Sequence, residues 1–379
     1  MGRPRVLVIH NRYRMPGGEE RVVALHRAAL ARAGVEHAVL ERDSGSVSSA
    51  RAGRALVRGG LDEDEVARAV ADLAADVVHC HNMLPLLGPR ALTAARDAGA
   101  RVVLHLHNYR LFCNVYAGFR DGAPCFRCRG RNTLPGLVLN CRGAVPESAA
   151  YAVGLARHQP RVFEAVESFA TPSAAARDRL AWLGVPRDRI AVVPNYLPAD
   201  ELAAESRAGE GEYALAAGRV TVEKGFEAAV DAAALAGVPL RVAGDGPAMA
   251  ALRQRAERGD ARVELLGRVD APTMADLRAR AAMVVVPSLW EETFGLVALE
   301  AMGSGVPVAA FAIGALPEVA GAPACVAPAD TRALAARMRT LWEDRAARQA
   351  EGEAALARAR EHFPEERFTR AVMELYAAS

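Results

Sequence analysis

Short apolar runs alternate with longer amphipathic segments along the whole chain, and this alternation constrains the fold more than any other sequence feature. Runs such as Val6–His10 and Val77–His81 have the length of buried strands, whereas Arg21–Ala33 has helical length and periodicity. Strands that alternate with helices are typical of a parallel sheet covered by helices. The pattern begins again at Tyr213–Ala217, after the charged, Gly- and Pro-containing residues 195–212. The sequence therefore predicts two doubly wound α/β units joined by one linker.

Length and composition agree with two globular domains. The chain has 379 residues, which is too long for one ordinary core and suits two domains of roughly 150 to 200 residues. Hydrophobic residues make up 51% and charged residues 24%, which excludes a disordered chain. No apolar run reaches the ~20 residues of a membrane span, and the N-terminus lacks the pattern of a signal peptide. We therefore expect a cytoplasmic protein whose cysteines are reduced.

We expect an N-terminal domain at residues 1–195, a C-terminal domain at 196–362, and a final helix at 363–379. This helix is amphipathic, with Phe368 and Val372 on its apolar side, and is expected to pack back on the first domain. Open α/β sheets bind ligands at the carboxyl ends of their strands, so a cleft between the two domains is the expected site. The alanine-rich segments, residues 228–236 and 346–359, are expected to form exposed surface helices.

The strongest chemical signal lies in residues 287–308, which read PSLWEETFGLVALEAMGSGVPV. A strand is predicted to end at Pro287, and a helix to begin near Gly295 and end by Gly303. Backbone N–H groups at such a helix N-terminus form a ready site for a diphosphate. Glu292 and Glu300 are spaced so that one carboxylate meets sugar hydroxyls and the other ribose hydroxyls. By themselves, the two glutamates would fit a capped helix with surface carboxylates better.

Lysine is used once in this chain, at Lys224, whereas the other 46 basic side chains are arginine. An ammonium is a compact point charge, whereas a guanidinium is a planar fork, so the choice of lysine points to a site that needs the former. Lys224 lies in the segment GRVTVEKG, residues 218–225, directly after a predicted strand.

The run at residues 287–308 resembles the E-x7-E signature of retaining glycosyltransferases of the GT-B fold, family 4, and the resemblance extends over nearly the whole chain. Residues 218–225 resemble that family's basic pair after the first strand of the second domain. Residues 243–247 resemble its glycine turn, and residues 266–269 resemble the segment that holds the nucleotide base. The resemblance implies two Rossmann-like domains that face each other across a cleft. It also implies metal-independent sugar transfer from a nucleoside-diphosphate sugar to an acceptor hydroxyl, with retention of anomeric configuration.

The resemblance assigns roles to particular residues. Arg219 and Lys224 would stabilise the leaving diphosphate, because fixed cations can replace a divalent metal there. Glu292 would orient the donor sugar and Glu300 the ribose, while His107 would lie near the sugar's 6-hydroxyl. The implied catalytic residues are His107, Arg219, Lys224 and Glu292, and the implied donor-binding residues are Gly17, Gly18, Gly218, Arg219, Lys224, Gly244, Val269, Glu292, Thr293, Phe294, Gly295, Leu296 and Glu300.

The first half also carries family-like stretches. The loop GGEE at residues 17–20 resembles the family's Gly-Gly-x-Glu loop, in which two glycines let the backbone approach a phosphate or sugar. By itself this loop would equally fit an ordinary turn. Residues 76–82, DVVHCHN, resemble the family's Asp-x-x-His-x-His strand end. The chain departs from the family at residues 194–198, PNYLP, where the pattern usually reads Pro-Asn-Gly-Val-Asp.

The acceptor is expected to be a small molecule, a saccharide or a lipid-linked molecule. Tyr109 and Arg110, which follow His107, are expected to contact it. Arg51, Arg54 and Arg58 share one side of a predicted helix and could make a weak peripheral membrane contact, although a solvated face fits better. Basic residues are scattered and have few aromatic neighbours, so no nucleic acid is expected as a partner.

Four cysteines form a separate cluster in a loop at residues 113–141. Cys125 and Cys128 make a C-x2-C knuckle, flanked by Cys113 and Cys141. These spacings suit a structural zinc ion with four thiolate ligands, and four free thiols or a redox pair suit them as well.

Two other enzyme classes remain open from the sequence. Nucleotide-sugar 2-epimerases share the fold and need no acceptor, but no pair of cleft acids is evident for proton abstraction. A dinucleotide oxidoreductase fits less well, because no G-x-G-x-x-G follows the first strand.

Overall fold

The computed structural model describes residues 3–13, 17–258 and 262–377, which divide into two compact units. The first unit comprises the described residues up to Gly118, then Cys125–Pro194, and the residues from Phe368 onward. The second unit comprises Phe119–Pro124 and Asn195–Arg367.

The first unit is built on a six-stranded parallel sheet with the strand order β2-β1-β3-β4-β7-β8. Its central strands are buried on both faces, which explains why their sequences are continuous apolar runs rather than alternating ones. The strands are β1 (Val6–Arg12), β2 (His37–Asp43), β3 (Val77–Cys80), β4 (Arg101–His105), β7 (Ser168–Thr171) and β8 (Ile190–Val192).

Helices cover this sheet, and the predicted irregular stretch after β4 contains short elements of its own. That stretch holds one short helix of the first unit, α5 (Leu134–Val138), and a small antiparallel hairpin that belongs to the second unit, β5 (Phe119–Arg120) and β6 (Ala123–Pro124). The other helices are α1 (Gly18–Arg32), α2 (Ser49–Arg58), α3 (Glu63–Leu73), α4 (Gly88–Asp97), α6 (Val145–Ala165) and α7 (Ala174–Leu183).

The second unit repeats the architecture with the strand order β11-β10-β9-β12-β13-β14, again all parallel. The strands are β9 (Tyr213–Ala217), β10 (Leu240–Ala243), β11 (Val263–Gly267), β12 (Ala281–Val286), β13 (Val308–Phe311) and β14 (Cys325–Val326). The helices are α8 (Phe226–Ala236), α9 (Met249–Arg258), α10 (Ala271–Ala279), α11 (Leu296–Gly303), α12 (Leu316–Ala320), α13 (Thr331–Glu343) and α14 (Arg345–His362). The predicted α/β class with two parallel-sheet units is confirmed.

The expectation that the alanine-rich segments are exposed is wrong for residues 228–236. Ala229, Ala232 and Ala233 of α8 are fully buried, in one core cluster with Leu334 and Met338 of α13. Alanine alone does not indicate burial, because its small side chain is common both on exposed helices and at close helix contacts. Here the alanines let α8 lie close to its neighbours.

Helix α14, which contains residues 346–359, is buried along one side only. Arg348 is the buried cation of this side, and its guanidinium donates to the carbonyl oxygens of Ala208 at 2.7 Å and Gly209 at 2.8 Å. Residues 195–212 are therefore held by side chains rather than left as a free linker. Tyr196 and Leu197, which replace the family's Gly-Val, are buried as well.

The last helix, α15 (Glu365–Ala377), buries Phe368, Val372 and Tyr376. From Phe368 onward it belongs to the first unit, and the Tyr376 hydroxyl lies 2.9 Å from ring nitrogens of both His26 and His79. The expectation that the C-terminal helix packs back on the first domain is confirmed. Among the described residues, no helix combines the length and apolarity that a membrane span requires.

Candidate active site

Three glycine turns line the carboxyl ends of neighbouring strands in the second unit. Gly218, Gly244 and Gly267 follow or end β9, β10 and β11, each with positive φ. Gly218 N–H donates to Ala243 O at 3.0 Å, and Gly244 N–H donates to Gly267 O at 2.7 Å. A Cβ at Gly244 would lie 1.8 Å from Gly218 O, so only glycine fits there. Because all three positions are glycine, no side chain of their own covers the backbone of these turns at the carboxyl edge of the sheet.

The loop after β9 carries Lys224 to the end of β12. Lys224 closes a 3-10 turn, and the next residue, Gly225, packs so tightly that a Cβ would lie 2.0 Å from Pro287 O. Leu289 N–H also donates to Glu223 O at 2.9 Å. Two loops that are distant in sequence are thus held together by backbone contacts. Arg219 lies in the first of these loops with an exposed side chain.

Lys224 and Glu292 form an ion pair, with 2.6 Å between Lys224 Nζ and Glu292 Oε1. Ser288 Oγ donates to the same carboxylate oxygen at 2.6 Å, and the ammonium lies 5.0 Å from the centroid of the Trp290 ring. The Glu292 side chain is only 8% exposed, whereas that of Lys224 is 28% exposed. The pair therefore has one buried end and one accessible end, and the accessible end is the cation.

The backbone of Glu292 is fixed from the other side by the loop after β13. Ala315 N–H donates to Glu292 O at 2.8 Å, and a Cβ at Gly314 would lie 2.4 Å from that oxygen. Because both its side chain and its backbone are held, Glu292 is a preorganised group rather than a surface carboxylate.

Helix α11 starts four residues beyond Glu292. Gly295 is its N-cap in the left-handed conformation, with φ 94°, and no side chain caps the helix among the described residues. The amide groups of its first turn thus keep the capacity to bind an anion. Thr293 and Phe294 before it are buried, and Leu296 is its first residue.

Glu300, on α11, pairs with Arg278 of α10 at 3.2 Å, and both side chains are largely buried. The sequence pattern marked Glu300 and gave no sign of this partner. Val269 lies between β11 and the N-cap of α10, partly exposed. The predicted donor residues of the second unit lie in the turns that follow its strands and on helix α11, where Glu300 is in the middle of the helix.

In the first unit, His107 lies two residues beyond the end of β4 at His105. Its ring stacks on those of His81 and His105, and His107 Nε2 lies 2.8 Å from His81 Nδ1. Burial, together with neighbouring His10 and His26, lowers the pKa of His107 to about 3. His107 is therefore a neutral imidazole at physiological pH.

The predicted Gly17-Gly18 loop starts helix α1, with Gly17 as N-cap. The Glu20 carboxylate accepts from Gly17 N–H at 2.7 Å and from Tyr13 N–H at 3.0 Å, so it ties both sides of the loop. The Glu19 carboxylate is the buried one: it accepts from the Tyr13 hydroxyl at 2.9 Å, and burial raises its pKa to about 7.

The two predicted acceptor residues differ in accessibility. Tyr109 is 1% exposed, with its ring edge-on to Phe126, so contact with an acceptor would require its ring to leave this packing. The Arg110 guanidinium lies 4.6 Å from the centroid of the Tyr13 ring.

The three arginines of α2 with a possible membrane contact are all exposed, and Arg58 pairs with Glu63 at 3.1 Å; the three are Arg51, Arg54 and Arg58.

The four clustered cysteines, Cys113, Cys125, Cys128 and Cys141, are partly buried and form no disulfide. Burial, reinforced by the other thiols of the cluster, raises the pKa of Cys128 to about 11 and also raises that of Cys113. Within the described ranges, the sets of three or more ligand atoms that lie within 4.8 Å of one another are formed by histidines. The cysteines are thus near one another but not in coordination geometry.

Sequence reasoning missed several residues that complete these sites. Ser288 and Arg278 hold the two predicted glutamates, and Tyr13 and Glu19 lie beside the first-unit loop. Spacing along the chain could indicate Ser288, four residues before Glu292. Arg278 and Tyr376 are far in sequence from their partners, so only the fold reveals them.

Two known families match this chain. Residues 211–344 match glycosyl transferases group 1, and residues 17–196 match the glycosyl transferase 4-like domain. Together the two matches cover most of the chain and both of its units. The chain belongs to the group 1 glycosyltransferases. The resemblance inferred from the E-x7-E run is thereby confirmed at the level of the group 1 glycosyltransferases.

Curated relatives of this group 1 glycosyltransferase match over part of their length. A glycogen synthase of Mycobacterium tuberculosis is 32% identical over 227 residues, which are 56% of this chain and 54% of the relative. A D-inositol 3-phosphate glycosyltransferase of Nocardia farcinica is 34% identical over 201 residues, which are 46% of this chain and 43% of the relative. The matches thus span about half the length of these relatives.

Solved structures share the fold at low sequence identity. Sucrose-phosphate synthase from Thermosynechococcus elongatus has a TM-score of 0.72 at 19% identity, with 99% of this chain and 98% of that chain covered. HepE from Anabaena, in complex with UDP and glucose, has a TM-score of 0.66 at 17% identity and 98% coverage of both chains. These likenesses establish the GT-B fold.

Proposed function

We propose that this protein transfers a sugar from a nucleoside-diphosphate sugar to an acceptor hydroxyl, with retention of anomeric configuration and without a metal ion. The proposal rests on one observation. The Lys224 ammonium lies 2.6 Å from Glu292, three residues before the glycine that begins helix α11, at the carboxyl ends of the second-unit strands. The Lys224 ammonium therefore contacts the loop that leads directly into the N-terminus of helix α11.

This arrangement suits the stabilisation of a leaving diphosphate. As the bond between the anomeric carbon and the phosphate oxygen breaks, negative charge develops on that oxygen. A fixed ammonium and backbone N–H groups stabilise developing charge without reorganisation. Lys224 and Arg219 would supply the cations, and the first turn of α11 would supply the N–H groups.

Retention follows from attack on the face that the leaving group departs from. The acceptor oxygen forms its bond to the anomeric carbon there, and its proton passes to the phosphate oxygen that leaves. Glu292 is held by Ser288 and Lys224, so it would orient the donor sugar rather than act as a covalent nucleophile. Glu300, paired with Arg278, would bind the ribose.

The relatives suggest which donor to test first. HepE was solved with UDP and glucose, and two relatives bear the names of a glycogen synthase and an inositol phosphate glycosyltransferase. A uridine diphosphate sugar is therefore the first candidate donor. A saccharide, a small molecule or a lipid-linked molecule would serve as acceptor.

Binding of the nucleoside diphosphate is the first test. UDP, GDP, ADP and dTDP are each added to the protein, and its thermal unfolding is followed with and without a chelator. One of them should raise the unfolding temperature by mass action, and the chelator should not abolish the shift. If none raises it, the proposed donor site is wrong.

Nucleoside diphosphate release then tests the reaction. Release that requires an acceptor, with the same anomer in donor and product by NMR, supports retaining transfer. Epimerisation of the donor in the absence of acceptor would identify a 2-epimerase instead. An inverted product would contradict the front-face mechanism.

We also propose that the cysteines Cys113, Cys125, Cys128 and Cys141 hold a structural zinc ion. Their mutual proximity supports this, although the thiols would have to move into tetrahedral positions. Metal analysis of the purified protein should find zinc that is lost in Cys125→Ser together with Cys128→Ser. Zinc that persists in this double variant would place the metal elsewhere.

A further inference from the structure

Six aromatic side chains in the first unit form one continuous hydrogen-bonded chain. It starts at His107 beyond β4, passes through the interior to the C-terminal helix, and returns to β4. In order, its members are His107, His81, His26, Tyr376, His79 and His105.

Each link joins two specific ring atoms. His107 Nε2 lies 2.8 Å from His81 Nδ1, and His81 Nε2 lies 2.8 Å from His26 Nδ1. The Tyr376 hydroxyl then joins His26 Nε2 to His79 Nδ1, at 2.9 Å on both sides. His79 Nε2 lies 3.3 Å from His105 Nδ1, and this is the last link of the chain.

Neutral side chains supply the number of protons that the hydrogen bonds of this chain require. A neutral imidazole has one N–H donor and one bare nitrogen acceptor, and a phenol donates one proton and accepts one. Every interior member therefore donates to one neighbour and accepts from the other. Burial lowers the pKa of all five imidazoles, so they are neutral at physiological pH.

Such a chain has only two arrangements, because reversing one link forces all the others to reverse. If the hydrogen bonds point toward His107, all five histidines carry their proton on Nδ1. If they point toward His105, all five carry it on Nε2. A mixture of tautomers would leave two donors or two acceptors facing each other in a buried link.

The far end of the chain decides between the two arrangements. His105 is 1% exposed, and its Nε2 has no hydrogen-bond partner among the described residues. Bonds that point toward His105 would leave a buried N–H unpaired there, which is the rarer kind of orphan in proteins. Bonds that point toward His107 instead place the terminal N–H on Nδ1 of the one partly exposed ring.

We propose that this chain locks His107 in the Nδ1–H tautomer, so that its partly exposed ring acts as a hydrogen-bond donor. Tyr376 and His26 are then positioning residues that act through His81. If the proposed function is correct, the His107 Nδ1–H donates a hydrogen bond to an oxygen of the donor sugar. The link through Tyr376 then makes the orientation of the His107 ring depend on how the C-terminal helix packs.

A metal ion held by these imidazoles is the other use of such a cluster. His26, His79 and His81 form one set of ligand atoms within 4.8 Å, and His81, His105 and His107 form another. Ligands around a tetrahedral zinc ion lie roughly 3.4 Å apart, from Zn–N distances of about 2.1 Å. Two of the links are 2.8 Å long, which fits a shared proton and not two ligands of one metal.

The test is NMR of protein labelled with ¹⁵N only in histidine, because long-range proton–nitrogen correlations show which ring nitrogen bears the proton. In the wild type, His26, His79, His81, His105 and His107 should all be Nδ1–H tautomers. A mixture among these five, or Nε2–H throughout, would overturn the proposal. Stoichiometric metal that shifts these signals and is removed by a chelator would overturn it in favour of a metal site.

Tyr376→Phe breaks the chain and keeps the ring. His79 and His105 should then populate both tautomers, because either direction of their link now leaves one buried N–H unpaired, whereas a purely structural role for Tyr376 would leave their tautomers unchanged. Tyr213→Phe is the matched control, since it removes another buried hydroxyl, which donates to Leu277 O at 3.0 Å in the second unit. It should leave all five signals as in the wild type.

Activity supplies an independent readout. With the donor sugar, Tyr376→Phe should lower kcat/KM about three- to tenfold, the scale of one hydrogen bond, and leave nucleoside diphosphate affinity unchanged. If the protein proves not to be a glycosyltransferase, the tautomers still decide the present proposal. An unchanged tautomer pattern in Tyr376→Phe would refute it even in an active enzyme.

Discussion

The Lys224 ammonium lies over the Trp290 ring and 2.6 Å from the Glu292 carboxylate, while the same kind of arrangement recurs at Arg241. Arg241 lies 4.1 Å from the centroid of the Tyr213 ring and 2.7 Å from Glu264. Arg241 is near the start of β10, whereas Lys224 is beyond the end of β9. The two cations have similar local partners at opposite ends of one sheet.

Substitution of Lys224 by alanine should lower kcat roughly 10²–10³-fold, because one group that stabilises the leaving diphosphate is lost. Arg241→Ala removes a cation with similar partners from the other end of the sheet and should leave kcat within about twofold. Steady-state kinetics with a uridine diphosphate sugar would measure both. A Lys224→Ala protein with nearly full activity would remove this residue from the mechanism.

Gly244→Ala should destabilise the second unit more than Gly237→Ala does. Both glycines have positive φ, but a Cβ at Gly244 would lie 1.8 Å from Gly218 O, whereas nothing lies within 4 Å of one at Gly237. Gly237→Ala should cost about 1 kcal/mol from backbone conformation alone, and Gly244→Ala at least ~2 kcal/mol more from overlap. In a Trp182→Phe background, the remaining tryptophans, Trp290 and Trp342, report urea unfolding of the second unit. Equal losses of stability would show that the turn can relax.

The sequence predicted the fold because the signals that define it are local. Apolar runs and helix periodicity identify most elements from neighbouring residues alone, and β9 has the bounds Tyr213–Ala217 that its apolar run predicts. The exposure of residues 228–236 could not be predicted, because burial of alanine depends on what packs above it. In the structure, α13 covers that helix.

The candidate site was predictable only where its residues are close together in sequence. Glu292, Gly295 and Glu300 lie on one loop and helix, so spacing alone showed how they relate. The link from Lys224 to Glu292 spans 68 residues, and the link from His79 to Tyr376 spans 297. Such pairs depend on the order of strands and on the path of the last helix. Periodicity specifies neither of them.

Glu19→Gln should make the first unit less sensitive to alkaline pH. Burial raises the pKa of Glu19 from 4.5 to about 7, so its contribution to stability is present below pH 4.5 and is lost as the pH rises through 7. Between pH 5 and pH 8 the wild type should lose about 2 kcal/mol relative to Glu19→Gln, which stays neutral. Urea unfolding of both proteins at the two pH values would measure this. The exposed Glu36→Gln serves as control and should follow the wild type.

Acid should destabilise the first unit steeply, since its five chain histidines are buried as neutral rings. Burial lowers the pKa of His26 and His107 from 6.5 to about 3, and those of His79, His81 and His105 also lie well below 6.5. Lowered histidine pKa values contribute stability above pH 6.5 that is lost as the pH falls, because the unfolded chain binds the protons. Glu19 opposes this by binding one proton in the folded state. These five histidines and Glu19 together should therefore take up about four protons on unfolding near pH 5.5, a slope of roughly 5 kcal/mol per pH unit.

Tryptophan substitutions let this acid effect be measured in each unit separately. A protein with Trp290→Phe and Trp342→Phe retains only Trp182, in the first unit, whereas Trp182→Phe reports the second unit. The second unit contains a single histidine, His362, and should show little dependence on pH between 7 and 5. The first unit should lose most of its stability over the same range. A first-unit slope below about one proton would mean that these histidines can ionise in the folded protein, and the hydrogen-bonded chain of neutral rings would then be wrong.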